Sequence, residues 1–360
     1  MVAAIRVYKK TSPNGKVTAY LTRRDFVNHI SHTSPVDGVV VVDNDYLRGR
    51  RVFARVVVTY RYGREEDEVM GLHFSKEYEL VNTQIVPSNG QEHLTDLQER
   101  LIKTLGGNAY AFSVSLPKDA PSSVTIDSGD DTEAQPLGVS YELLLSLSDQ
   151  REDRYRRRSS VAFTVRKIVA GPGMHNSRQP ETTVSRGFTL SPGRLTLNIC
   201  LSHEVYSHGQ PVEATVTVSN ESKKTVKNIK VQIIQHVEVT MTNTQFSRVV
   251  SSLECREGCP ITPGANLTKT YYLTPLASFN KSLGIALEGQ VKDQEASLAS
   301  STVVAAGKNP NDALGIIVSY SFHMKLACGA IGGELNADLP FKLIHPEPSE
   351  YTATGRRSSL

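Results

Sequence analysis

Cysteine is scarce in this chain, with four in 360 residues, at Cys200, Cys255, Cys259 and Cys328. So few cannot staple a disulfide scaffold, and they fit free thiols in a reducing compartment. Cys255 and Cys259 have the spacing of half a zinc site, but no second Cys or His pair stands at matching spacing to complete it. Long apolar runs are missing as well. The best stretches, Val39–Val42 and Leu314–Val318, fall far short of the roughly 18 residues of a membrane-spanning helix. The N-terminus carries Arg6, Lys9 and Lys10 with no apolar segment of signal-peptide length. The expectation is a soluble, cytoplasmic protein whose three sequons, at Asn220, Asn266 and Asn280, go unused. A strong net charge is also absent: +3, with a pI near 8.5, gives no global field for nucleic-acid binding. There is no nucleophile elbow, P-loop, HExxH or paired CxxC, and the spacing of His29 and His32 is too common to count, so catalysis is not expected. No fixed short repeat is present, which excludes solenoids and propellers.

What the chain does have is alternation. Val52, Ala54, Val56, Val58 and Tyr60 fall on one face of a period-two stretch, and the same period recurs at Leu195–Leu201, Val212–Val218 and Ile316–Leu326. Turn clusters such as Ser12-Pro13-Asn14-Gly15 and Thr262-Pro263-Gly264 separate such runs. With hydrophobic residues at 39% and charged residues at 21%, the chain should fold. Its length exceeds the roughly 250–300 residues at which single cores stop growing, so two domains are expected. The reading is all-β: two antiparallel β-sandwich domains, with one short amphipathic helix in the first. That helix is placed at Leu94–Leu105, capped by Thr95 and Gly106, laying Leu94, Leu97, Leu101 and Leu105 on a sheet. The boundaries are set at 1–170, a linker at 171–186 where the strand pattern lapses, a second domain at 187–347, and a mobile tail at 348–360.

Charge is concentrated locally. Bases cluster at Lys9-Lys10, Arg23-Arg24, Arg48-Arg50-Arg51 and Arg154–Arg158, and acids at Glu65–Glu68 and Asp127–Glu133. Local bipolarity suits a partner carrying discrete phosphates. After the strand ending at Tyr62 comes a loop bounded by Gly63 and Gly71, with Glu65, Glu66, Asp67 and Glu68 followed by Val69, Met70 and Leu72. The glycines permit backbone excursions, and the apolar trio offers contacts to a cavity. A hairpin tip that is acidic merely for solubility is the competing reading.

The stretch YRYGREEDEVMGL, together with Val7-Tyr8-Lys9-Lys10, Pro35-Val36-Asp37-Gly38, LQERL, Tyr206-Ser207-His208-Gly209, NLTKTYYLTPL, LASST and GIIVSYS, resembles the arrestin family over nearly the whole chain. GREEDEVMG, QHVEVTM and GCPITPGANLTKT are most similar to the visual arrestins of invertebrate photoreceptors. The resemblance implies a cytosolic protein that caps an activated, phosphorylated seven-helix receptor of the rhodopsin type at the membrane and ends its G-protein signalling. It also implies a polar core of Asp25, Arg166, Glu288 and Glu295, with Glu at the last two positions where many relatives carry Asp. Lys9, Lys10, Arg24, Lys103, Arg166 and Lys292 would meet phosphates, and residues Glu65, Glu66, Asp67, Glu68, Val69, Met70, Gly71 and Leu72 would meet the receptor core. Arg154, Arg157 and Arg158 would serve inositol phosphates or an anionic membrane surface, a solvated basic loop being the alternative; no other cofactor or metal is implied. Only Glu347–Leu360 follow the last expected strand, and they hold no phenylalanine. The expectations drawn from this are a partly primed basal state and no direct clathrin or adaptor binding. A trafficking adaptor of the wider arrestin fold, or a non-visual arrestin, is the rival reading.

Overall fold

The computed structural model describes residues 7–29, 33–63, 74–88, 94–126, 137–151, 156–171, 179–188, 191–279, 284–289, 297–303, 315–329 and 333–346. The chain divides into two compact units. The first runs to Val124 and includes Leu137–Ile168, while the second takes in the residues from Val169 onward through Glu288 and the later strands.

In the first unit the strands are β1 Tyr8–Thr11, β2 Val17–Leu21, β3 Asp25–Asn28, β4 Val36–Val42, β5 Arg51–Arg61, β6 Ser75–Val86 and β7 Ala109–Val114. β8 Val124–Ile126, β9 Leu137–Ser148 and β10 Ser160–Gly171 follow, with Thr125 and Ile126 of β8 and Val169–Gly171 of β10 already belonging to the second unit. One antiparallel sheet has the order β1-β2-β4-β7, and the facing strands run β6-β5-β9-β10, with β3 joined to β10. Successive side chains of a strand point to opposite faces, so the alternation read from β5 becomes burial: Val52, Ala54, Val56 and Val58 are fully buried. The other face departs from the expected half-solvated pattern. Phe53 and Arg55 are buried too, and the Arg55 guanidinium is satisfied by donating to the Arg151 carbonyl at 2.8 Å.

Among the described residues there are two α-helices. α1, Asn44–Leu47, is a single turn capped by Asp43. α2, Asp96–Leu105, starts where Thr95 and Gln98 form a reciprocal capping box. The expected apolar contact face is corrected here. Leu94 is 41% exposed and precedes the helix, and the leucines of α2 are only half-buried. The fully buried helical residue is Gln98, whose amide donates to Gly38 O at 3.1 Å and Phe112 O at 2.9 Å, bridging β4 and β7. Gly38 has to be glycine, since a Cβ there would lie 2.5 Å from the Phe112 ring and 2.6 Å from Tyr20 O.

The second unit contains β11 Glu181–Phe188, β12 Ser191–Leu201, β13 Val205–Ser207, β14 Val212–Asn220 and β15 Asn228–Val239. It continues through β16 Thr244–Cys255, β17 Asn266–Leu273, β18 Ala286–Glu288, β19 Ile316–Ala327 and β20 Glu334–Pro346. One sheet is β11-β12-β14-β17, and the other follows β16-β15-β19-β20. β11 corrects the linker reading, because all of 181–186 is strand paired with β12. Two short parallel pairings complete β20: Val205–Ser207 lie beside Lys342–Ile344, and Ala170 and Gly171 beside His345 and Pro346. As Gln98 does in the first unit, the buried amide of Gln235 braces neighbouring elements, exchanging hydrogen bonds with Ala286 and donating to the Tyr320 hydroxyl.

Candidate functional site

The site begins with Arg166 on β10. Its backbone N–H donates to Arg24 O at 2.9 Å, which holds β3 beside β10 and brings Asp25 next to the guanidinium. Nε donates to Asp25 Oδ1 at 2.7 Å and the second fork nitrogen to Oδ2 at 3.0 Å, a bidentate pair. The Arg166 side chain is 11% exposed and that of Asp25 27%, so the pair is shielded yet reachable from one side. An arginine keeps its charge at any ordinary pH, and the lasting attraction is therefore to a second anion as much as to Asp25.

Of the other cations, Lys9 and Lys10 lie on β1 and Arg24 directly before β3. Lys10 donates to Ala162 O at 2.6 Å, four residues before Arg166 on the same side of β10. Lys9, its neighbour on β1, is sent to the opposite face and lies 5.7 Å from the Tyr20 ring centroid. Arg24 stacks over the Tyr8 ring at 4.4 Å. Lys103 is exposed in the last turn of α2, where a cation complements the helix dipole. Arg157 and Arg158 are exposed on a single 3-10 turn, Arg157–Ser159. Arg154, Lys292, Glu295 and the whole loop from Glu65 to Leu72 lie outside the described residues.

Sequence reading missed Lys167. It is 2% exposed, and its ammonium donates to the carbonyls of Lys118, at 3.0 Å, and Ala120. Burial draws its pKa down to about 8, opposed by the charge of Asp119. The only available signal was its place in an alternating run, one residue out of phase with Arg166.

Glu288 belongs to the second unit, and there it sits in a network the sequence did not announce. His345 is hydrogen-bonded to its Oε1, and the Ser300 hydroxyl donates to the same oxygen at 3.1 Å. With that proton committed, Ser300 accepts from His208 Nε2 at 3.0 Å, and the two imidazole rings lie 4.6 Å apart. Burial, then the neighbouring His345, draws His208 down to about 4, with Glu288 opposing, so at neutral pH it is uncharged.

The described geometry is thus two units of paired β-strands, with a shielded ion pair on β10 of the first. Comparison with known sequences agrees. Residues 17–170 match the family described as Arrestin (or S-antigen), N-terminal domain, and residues 191–348 match its C-terminal domain. The chain is 54% identical to an arrestin homolog of Locusta migratoria over 349 residues, which is 96% of this chain and 86% of that one. It is 52% identical to phosrestin-1 of Drosophila melanogaster over 350 residues, 97% of this chain and 87% of the relative, and 50% identical to the lateral-eye arrestin of Limulus polyphemus over 348, 96% and 86%. The chain belongs to the arrestin family, whose members are non-enzymatic scaffold and regulatory proteins that bind activated G-protein-coupled receptors and desensitise them.

Proposed function

We propose that this arrestin is a visual one, binding light-activated, phosphorylated rhodopsin at the cytoplasmic face of the photoreceptor membrane, with Arg166 as the sensor of receptor phosphate. The observation that carries the reading is the bidentate Arg166–Asp25 pair, shielded on one side and open enough to exchange partners. Breaking a buried pair by removing one partner costs about 3–5 kcal/mol, whereas each charge-assisted hydrogen bond returns about 1.5–3 kcal/mol. One phosphate contact therefore does not release Arg166, and two or three do. Each phosphate group brings nearly two negative charges, and a cluster of them is required to draw Arg166 from its carboxylate. Lys10 and Arg24 flank the same strand and extend the field to neighbouring phosphates. Lys292 joins them in this reading, and the loop Glu65–Leu72 supplies the second, receptor-core contact, so that activation and phosphorylation are both required. Arg157 and Arg158 supply an exposed anion-binding surface for inositol phosphates or anionic lipid.

The test is binding of the Arg166→Glu chain to rhodopsin in four states, light and dark, phosphorylated and not. Binding to light-activated, unphosphorylated rhodopsin is expected to approach that of the phosphorylated form. Undiminished phosphate dependence in this variant overturns the sensor role, and equal preference for a non-visual receptor overturns the visual assignment.

A further inference from the structure

Glu288 stands 57 positions before His345, and His208 lies farther back still, yet the ligating atoms of the three all lie within 4.8 Å of one another. Strand pairing brings them together. β13 runs parallel to β20 with Ser207 beside Ile344, so the next residues, His208 and His345, fall side by side, and His208 N–H donates to Ile344 O at 3.0 Å. Glu288 is delivered by β18, where its N–H donates to Ser297 O at 2.9 Å. Among the described residues this is the one group of three metal-ligating side chains so close, and two of its members, Glu288 and His345, are buried.

We propose that His208, Glu288 and His345 form a binding site for a divalent zinc ion. Three atoms this close can each sit within about 3 Å of a common point, and zinc bonds of about 2.0–2.2 Å need only sub-ångström closure from there. Two imidazoles and one carboxylate select zinc over calcium or magnesium, which take oxygen ligands. A fourth position is left for water, with the Ser300 hydroxyl, now bonded to Glu288 and His208, at hand to hold it. As the ion enters, the ring protons that now bridge to Glu288 and Ser300 pass to the other nitrogen of each imidazole, which leaves a lone pair for the metal. The Cys255–Cys259 spacing plays no part in this site.

The full chain, stripped with chelator and desalted, would be titrated with Zn2+ against a chromophoric competitor. One ion per chain is expected, with affinity lowered at least about tenfold in His208→Gln and in His345→Gln, and unchanged in the Cys255→Ser/Cys259→Ser variant. Absence of stoichiometric binding, binding indifferent to both histidine substitutions, or binding lost with the cysteines overturns the proposal. Should a histidine variant fail to fold, Co2+ bound to the unmodified chain decides. A four- or five-coordinate spectrum without a thiolate charge-transfer band supports the site, and a thiolate band or the spectrum of hydrated cobalt overturns it.

Discussion

Arg166 and Lys167 are consecutive cations on one strand, held in opposite ways. Arg166 meets a carboxylate through two charge-assisted hydrogen bonds. Lys167 points to the other face, into a cradle of carbonyl oxygens, and the acid nearest to it acts only through its field. Carbonyl dipoles satisfy the donors of an ammonium but carry no net charge, so burial prevails and the lysine is drawn down to about 8. A formal counter-charge, more than the number of hydrogen bonds, keeps a buried cation charged. The two residues are thereby suited to different work: Arg166 can be won over by a stronger anion, whereas Lys167 can only brace the loop that encloses it.

The largest expected effect comes from breaking the charged side. Arg166→Gln should destabilise the protein by about 3 kcal/mol, the low end for a broken buried pair because Asp25 keeps some access to water. Urea denaturation measures it, and the loss should be the same at pH 6 and pH 9; a loss below about 1 kcal/mol would mean that the pair is no more than a surface bridge. Next comes Lys167→Met. Below about 8 the lysine is protonated in both folded and unfolded chains and the cost of burying its charge is borne in full. Between about 8 and the unfolded value of 10.5 the folded chain releases the proton and the unfolded chain keeps it, so stability rises with pH. The native chain should therefore gain on the Lys167→Met variant across that window, by an amount of order 3 kcal/mol, and a difference that does not vary with pH would refute the depressed lysine. The smallest effect is expected from Asp119→Asn. Removing that charge takes away what holds the Lys167 value up, so an NMR titration of the lysine should show it moving below about 8; no movement would place the opposing field elsewhere.

Much of this architecture was legible because it is periodic. Val52 to Tyr60 declared a buried face, and Thr95 and Gly106 marked the two ends of a helix. The Arg166–Asp25 pair was legible only through family resemblance, since 141 residues separate the partners and an arginine in a strand has no local signature. β11 escaped notice for a physical reason. It is an edge strand paired on one side only, with no buried residue, so no apolar alternation marks it. Gln98 was hidden by its polarity, being buried for what it bonds and not for what it repels. The convergence of His208 on His345 depends on the register of a three-residue parallel pairing, which no local pattern encodes.

The position of β20 has a consequence for the order of assembly. The last described strand of the chain is hydrogen-bonded to β19 along one side and to β13 and the end of β10 by short parallel pairings, so it is an interior member of the second unit instead of an addition at its rim. A ribosome has delivered every strand of the first unit by the time Ile168 emerges, and domains generally fold as units from the N-terminal side. The second unit has no such early opportunity: until Glu334–Pro346 appears, β13 and β19 expose the edges that β20 will cover. Nascent chains halted just before Glu334 should resist protease in their first half and yield to it in their second.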